Sequence, residues 1–444
     1  MILRTVAFGL NAKWMRFPLG RVLAGASIEE GLMTTTTKRL NLRFVALAIG
    51  MFAIGTDSFV VAGILPSIAK DLDTDVPTSA ELITAYALAY AILSPVVATL
   101  AAQVSRKVLL IGGLLVFIAG NVGTGLAPTF EVAMAFRVVA ALGGAMFTPT
   151  SAGAVVALAG PEKRATALSI LFGGLSAATA LGSPIGTAIS GVTDWRGTMM
   201  FVAGVGALAL VAVLIGLPAI PRPPAVTFGQ RLSPLADARI TVTLLLLLVA
   251  YSGLFTLYTY ISQVFRPATD GNGTTLAWLL FAWGAAAVVG NMFAGRLTDR
   301  FGNRIVINTA GTIAVIVFAT TPWSSRHQVA AFVAVMIWGA CGWAMLVPIQ
   351  HRLVGANPAA SQLSISLSSS ANYIGVSLAP VIGAFLLDHV VGADHLGYPA
   401  AGIIVAGLLI GELSHLLIRR RARSGADDAP GGTPAPSPTL AERR

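Results

Sequence analysis

Ala98-Thr99-Leu100-Ala101-Ala102-Gln103-Val104-Ser105-Arg106-Lys107 and Gly295-Arg296-Leu297-Thr298-Asp299-Arg300-Phe301-Gly302-Asn303-Arg304 lie 197 residues apart in a chain of 444. The same offset carries Pro161 onto Pro358, and the small-residue ladder Gly174, Ala178, Gly182, Gly186 onto Ala371, Gly375, Ala379, Gly383. Twelve long apolar stretches surround these landmarks in two groups of six. One six-element unit is therefore expected twice.

The stretches run over 44–67, 79–101, 108–127, 131–158, 165–190, 198–219, 239–262, 275–295, 305–322, 328–350, 359–386 and 398–418. Each is near or above the ~20 residues that cross a hydrocarbon core of ~30 Å. In lipid the backbone N–H and C=O groups must be satisfied within the segment, so apolar runs of this length are helices. Composition agrees. Hydrophobic residues make up 55% of the chain and charged residues 11%, with mean hydropathy +0.79, whereas a soluble domain carries about 25% charged residues. The expected fold is all-α and integral to a membrane, with twelve transmembrane helices in two pseudo-symmetric six-helix bundles. Paired halves with a site between them near the bilayer midplane are the build of many secondary transporters.

The net charge of +10 does not mark a nucleic-acid binder, because its distribution follows a membrane topology. With the N-terminus cytoplasmic, the inside segments from Lys38 onward carry twenty Lys and Arg, against Lys70, Arg196, Arg266 and Arg326 outside. The positive-inside rule then puts both termini in the cytoplasm, in a plasma or inner membrane. The acidic turn Asp71, Asp73, Asp75 falls outside.

Residues 1–40 read as a cytoplasmic N-terminal extension. They are basic but have no signal-peptide core, so a start at Met33 is the simpler reading and a surface-lying amphipathic helix the alternative. Residues 41–219 and 239–418 are the two bundles, joined by a Pro-rich cytoplasmic linker at 220–238. The tail 419–444, rich in Ala, Pro, Gly and charge, is expected to be disordered. The single cysteine, Cys341, excludes an intrachain disulfide and reads as a packing residue.

Gly295-x-Leu297-x-Asp299-Arg300-x-Gly302-x-Arg304, between the eighth and ninth stretches on the basic side, resembles the loop signature of the major facilitator superfamily. Its chemistry suits a latch: a carboxylate and several guanidiniums make charge-assisted bonds in one conformation and release them in another. The first-half copy has Ala98, Ala102 and Ser105 where the pattern has Gly, Asp and Gly, and keeps only Arg106 and Lys107 of its charges.

Further segments resemble the twelve-helix drug:proton antiporter branch. Gly55-Thr56-Asp57-Ser58-Phe59 and the residues up to Leu72 are similar to the first helix of chloramphenicol-resistance and arabinose-efflux exporters, with Ser58 where many members carry glutamate. Gly182-Ser183-Pro184-Ile185-Gly186-Thr187, followed by Asp194-Trp195-Arg196, is similar to the antiporter motif of the fifth helix. Arg137 with Gly143 partly matches the fourth-helix motif, Ala141 replacing its central glycine. The resemblance implies proton-coupled export of small amphipathic molecules or drugs. Sugars or endogenous metabolites are the alternative cargo, and a ligand sensor that moves nothing is the alternative of another class. The chain is expected to be monomeric, with a small-molecule substrate, protons and the lipid bilayer as partners, and without cofactor, metal or nucleic acid.

Asp57 lies thirteen residues past Phe44, about 20 Å from the inner membrane edge. Arg137, six residues past Glu131, enters from the opposite side by about 9 Å, so the two charges can meet. A charge in a membrane helix costs at least ~2.5–3.5 kcal/mol and so faces a cavity or a partner. Burial favours a neutral carboxyl and a guanidinium favours an ionised one, an opposition that suits a group gaining and losing protons. A static pair that only orients the first and fourth helices is the competing reading. Glu412 and His415, near the inner end of the last stretch, read as snorkelling or interfacial groups.

The ladders on helices five and eleven are small-xxx-small faces, and Pro184 and Pro380 each remove a helix hydrogen bond. Gly182, Pro184 and Gly186 are the expected gate between the halves, with plain close packing as the alternative. Tyr251, Phe255 and Tyr258 on helix seven, with Asn372 on helix eleven, are candidate substrate contacts, since a cavity for amphipathic molecules is aromatic with a few polar groups. Packing is the plainer account of such a stripe. The chain has no Gly-x-x-x-x-Gly-Lys loop, no His-Glu-x-x-His and no Gly-x-Ser-x-Gly. ATP-driven transport and common membrane hydrolysis lack their chemistry here, and an enzyme is not expected.

Overall fold

Helices are the only regular secondary structure among the described residues of the computed structural model, which are 19–100, 103–220 and 227–427. The principal ones are α1 Leu19–Asp71, α2 Val76–Leu100, α3 Arg106–Gly125, α4 Phe130–Leu158, α5 Arg164–Ala177 with its continuation to Val192, and α6 Trp195–Gly216. The second half holds α7 Ala238–Thr259, α8 Gly273–Phe301, α9 Asn303–Ala319, α10 Gln328–Ala344 with its continuation to Ala356, α11 Ser361–His389 and α12 Gly397–Asp427. Eleven are long and apolar enough to cross a membrane. The twelfth, α9, has 17 residues, about 26 Å of helix.

Two ends differ from expectation. α1 runs unbroken from Leu19 through Met33 into the membrane span, and α12 continues to Asp427, past the expected end at 418. Residues 1–18 of the extension and 428–444 of the tail lie outside the described residues, as do 101–102 and 221–226. Within α5 the segment Ala178–Gly182 forms a π-helical turn. Pro184, just beyond it, has no N–H to continue a regular ladder.

Packing repeats with the sequence. α5 lies on α1 and α11 on α7, while α3 and α9 pack beside α6 and α12 of their own halves. The ladder glycines explain the first pair of contacts. A Cβ at Gly174 would collide with the Ala48 carbonyl, and one at Gly375 would come 2.6 Å from the Leu248 carbonyl. The halves meet along α2 with α11, and along α8 with the 178–192 part of α5. The first part of α5, Arg164–Ala177, packs on α1 and α4 of its own half, so the halves part toward the side that carries the linker. α1 and α7 are the most enclosed spans, with 72% of the apolar window of each buried, which places them beside the axis between the halves.

At the end away from the linker, Asp71 of α1 accepts from the Trp195 indole at 2.9 Å and from Arg196 at 2.7 Å. Arg196 also donates to the carbonyls of Gly125 and Ala127 at the end of α3. Asp71 and Arg196 together thus tie α1, α3 and α6.

The described part of the linker is folded. Thr227 and Gln230 form a capping box for the short helix Phe228–Leu232, and Asp237 caps α7. Arg231 donates to the Ala98 carbonyl at 2.9 Å and to the Thr99 hydroxyl at 3.1 Å, at the last turn of α2. Carbonyls there have no helical partner of their own, and a cation suits their negative end of the helix. Arg231→Ala is expected to cost about 1–2 kcal/mol, read as a thermal unfolding midpoint lowered by a few degrees, with Arg231→Lys between. An unchanged midpoint would show that the linker is not anchored there.

Candidate functional site

Asp57 of α1 and Arg137 of α4 form an ion pair at 2.5 Å, with both side chains sealed from solvent, 0% and 1% exposed. Arg137 also donates to the Leu82 carbonyl at 3.4 Å, and its guanidinium lies 4.4 Å from the centre of the Tyr86 ring. The pair is therefore held by α1, α2 and α4 together. Three atoms around it have no hydrogen-bond partner: Asp57 Oδ2, the Tyr86 hydroxyl and Asn121 Oδ1. Tyr86 and Asn121 both stand beside the carboxylate. Neither was singled out in the sequence, although Asn121 is the one amide in the apolar run of α3.

The loop motif after α8 is only partly engaged. Gly302 has φ +81°, a backbone that glycine adopts without strain, and this sets the turn into α9. Asp299 is exposed and makes no ion pair among the described residues, while Arg300 lies over the Phe301 ring at 5.2 Å. Gly295 has open space around it. Arg304 instead binds Glu412 of α12, at 2.6 Å through one nitrogen and 3.0 Å through another, and Asn308 donates to the same carboxylate. Glu412 is thus an anchored ion-pair partner rather than a free snorkelling group. The first-half copy reaches the equivalent helix by other chemistry: Lys107 donates to the carbonyls of Leu217 and Leu214 at the end of α6. Arg106 lies across Gly153 of α4.

The expected gate residues sit elsewhere than between the halves. A Cβ at Gly182 would strike Thr56 of α1, and one at Gly186 would strike Val60 of α1 and Thr198 of α6. With Pro184 buried beside them, they close α5 onto its own bundle. The inter-half approach on α5 is made one face away, where Gly284 of α8 lies against the backbone of Thr179 and Ala180.

Tyr251, Phe255 and Tyr258 enter a cluster of rings with Trp283, Trp338 and Trp343 around a void of about 10 Å³. The Tyr251 hydroxyl is bonded to the Gly342 carbonyl at 2.9 Å, and that of Tyr258 to the Phe59 carbonyl of α1 at 3.1 Å. Ser183 of α5 also donates to the Phe59 carbonyl, at 3.3 Å. Asn372 is outside this cluster, half-buried and with an unpartnered Oδ1. Its neighbour Tyr373 stacks on Tyr90 of α2 at 4.0 Å, and Thr84 donates to the Ser377 carbonyl, further ties across the halves.

The sequence pattern of the Major Facilitator Superfamily matches residues 47–268 and again 243–441, once for each half. The chain belongs to this superfamily. Among its relatives within the superfamily, the inner membrane transport protein YdhP of Escherichia coli (strain K12) is 30% identical over 84% of this chain and 95% of its own length. A chloramphenicol resistance protein of Streptomyces lividans is 31% identical over 82% of this chain and 93% of its own. A probable sugar efflux transporter of Helicobacter pylori strain J99 is 26% identical over 80% and 91%.

Two glycines of this superfamily member are expected to respond differently to enlargement. Gly186→Leu forces α5 from α1 and α6 within one bundle, so it lowers thermal stability and yield. Gly284→Leu strikes only the meeting face of the halves, so it leaves each bundle folded and disfavours the conformation described here. Thermal unfolding, with labelling of a cysteine placed at Thr179, distinguishes them: loss of stability at Gly284 without added labelling would refute the contrast.

Proposed function

We propose that this protein is a proton-coupled exporter of small amphipathic molecules, working by alternating access from a cytoplasmic linker side to an outer side. The observation that carries the reading is the sealed Asp57–Arg137 pair with its second carboxylate oxygen unpartnered. A buried charge that keeps one free oxygen beside a hydroxyl and an amide can take a proton there without leaving its place. Protonation cancels the charge that holds Arg137, and a buried pair that loses one member becomes unfavourable by several kcal/mol. That penalty is the means by which a proton would change the packing of α1 against α4.

In this reading the structure is the state open to the cytoplasm. Inter-half hydrogen bonds lie toward the outer side, and the Asp299 carboxylate is released, ready to be engaged when the cytoplasmic side closes. Aromatic side chains of α7, α8 and α10 supply the surface for an amphipathic cargo. A sugar or other polyol is a second cargo class, supported by the hydroxyl run Ser366, Ser369 and Ser370 on α11, of which the first two are exposed.

Asp57→Asn is expected to abolish proton-driven efflux while the protein still inserts in the membrane. Proteoliposomes with an imposed pH gradient measure it, screened over amphipathic drugs and sugars. The double substitution Asp57→Asn with Arg137→Gln removes the unpaired guanidinium and restores stability without transport. Wild-type rates in Asp57→Asn, still dependent on the gradient, would sink the coupling role. Asp299→Asn is expected to slow turnover without changing the pH dependence, and normal turnover would show that the released carboxylate is idle.

A further inference from the structure

The Phe59 ring, from α1 of the first half, projects into the second half. Its centre lies 6.2 Å from Phe255, 6.1 Å from Tyr258, 6.3 Å from Trp283 and 6.1 Å from Trp343. These are the separations of interacting ring pairs, so one phenyl group is coordinated by four rings of the opposite bundle. Beside it, lined by the same four rings but not by Phe59 itself, is a void of about 10 Å³, room for about one water. The box is thus filled by a side chain rather than shut.

Its chemistry selects an occupant. No acidic, basic or histidine side chain lines the void. Both tyrosine hydroxyls are committed to carbonyls, that of Tyr251 to Gly342 and that of Tyr258 to Phe59. The Trp283 indole nitrogen is buried and has no partner, alone among the polar atoms of the lining residues in this respect. Ring faces by themselves would also receive a cation, but a free N–H calls for an acceptor. The Phe59 ring has no oxygen or nitrogen to supply one.

Phe59 has a second task. Its carbonyl accepts from Tyr258 and Ser183, which joins α1, α5 and α7 on the outer side. Trp343 is half-buried, and the halves part toward the linker side, which leaves the box an approach from there.

We infer that the box around Phe59 is a binding site for an uncharged aromatic ring bearing a hydrogen-bond acceptor, and that such a ligand displaces Phe59 and thereby loosens the outer seal. The ligand's ring takes the place of the phenyl group, and its acceptor takes the Trp283 N–H. Moving Phe59 strains the carbonyl that Tyr258 and Ser183 hold, so occupancy itself favours opening outward. A ligand shifts such an equilibrium only by its differential affinity for the two states, and competition with Phe59 provides that difference. The inference rests on the transport reading for its direction, but the site is tested without transport.

The purified full chain is dialysed to equilibrium against 4-acetylbiphenyl, against 4-isopropylbiphenyl, which has the shape without the acceptor, and against the 4-biphenyltrimethylammonium cation, with empty micelles as the blank. Trp283→Phe is expected to weaken 4-acetylbiphenyl binding by about fivefold to tenfold, the loss of one hydrogen bond, and to leave 4-isopropylbiphenyl unchanged. Phe59→Ala is expected to tighten both neutral ligands, because their competitor is gone; Phe59→Leu serves if the alanine variant does not fold. Spin labels at Glu81 and Asp270 should move apart on adding 4-acetylbiphenyl to the wild type, and be apart without ligand in the Phe59 variant.

Weaker binding in both Phe59 variants would make Phe59 a wall of the site and overturn the displacement. Equal loss of both neutral ligands in Trp283→Phe, tightest binding of the cation, or no binding of 4-acetylbiphenyl would overturn the ligand class. The same dialysis on Asp57→Asn keeps the two readings apart: an unchanged ligand pattern there leaves this site standing whether or not proton coupling holds.

Discussion

Close backbone approach between helices is the constraint on which this molecule rests. Lipid tails are as apolar as leucine, so no hydrophobic force draws one membrane helix to another, and association depends on van der Waals contact and interhelical bonds. Where α5 meets α1 and α11 meets α7, the side chain is reduced to a hydrogen so that one helix rests on the other's carbonyls, as at Gly174 on Ala48 and Gly375 on Leu248. Those contacts place α1 and α7 beside the axis. Everything of functional interest, from the Asp57 pair to the ring cluster around Phe59, is carried by these two helices and their neighbours.

The spans, their pairing into halves and the meeting of Asp57 with Arg137 were legible in the sequence because each has a one-dimensional signature. Apolar length gives a span, an offset of 197 gives a repeat, and depth in a helix follows from counting residues. What could not be read was azimuth. A small residue announces a close contact but not the helix it touches, so the pattern at Gly182 and Gly186 points to the boundary between halves although these glycines face α1. The same limit hid Tyr86 and Asn121, whose importance lies in the direction they point. Glu412 is visible in the sequence near the inner end of its helix, but its bond to Arg304, 108 residues away, is not.

The two loop motifs show one mechanical result reached by different bonds. Lys107 and Arg304 occupy equivalent positions, and each fastens the third helix of its half to the sixth. The first does so with an ammonium on terminal carbonyls, the second with a guanidinium on a carboxylate. An ammonium has three rotatable donors and suits scattered carbonyls, whereas the planar fork of arginine suits Glu412. Loss of the aspartate from the first copy therefore leaves its static function intact. The guanidinium of Arg231, brought in by the linker, occupies the neighbouring end of α2.

The clamp at Asp71 has no twin. Adding 197 to Asp71, Trp195 and Arg196 gives Ala268, Gly392 and Ala393, none of which can make an ionic or indole bond. The corresponding corner of the second half borders a cleft of about 830 Å³, closed on its other side by Pro77 of α2, whose walls include Pro267, Arg326 and Asp394. At the end away from the linker the first bundle is gathered by one carboxylate that holds an indole and a guanidinium, whereas the second has only the longer Arg326–Asp394 contact, at 3.3 Å, beside an open cleft, so the internal repeat does not extend to the way its two rims are fastened.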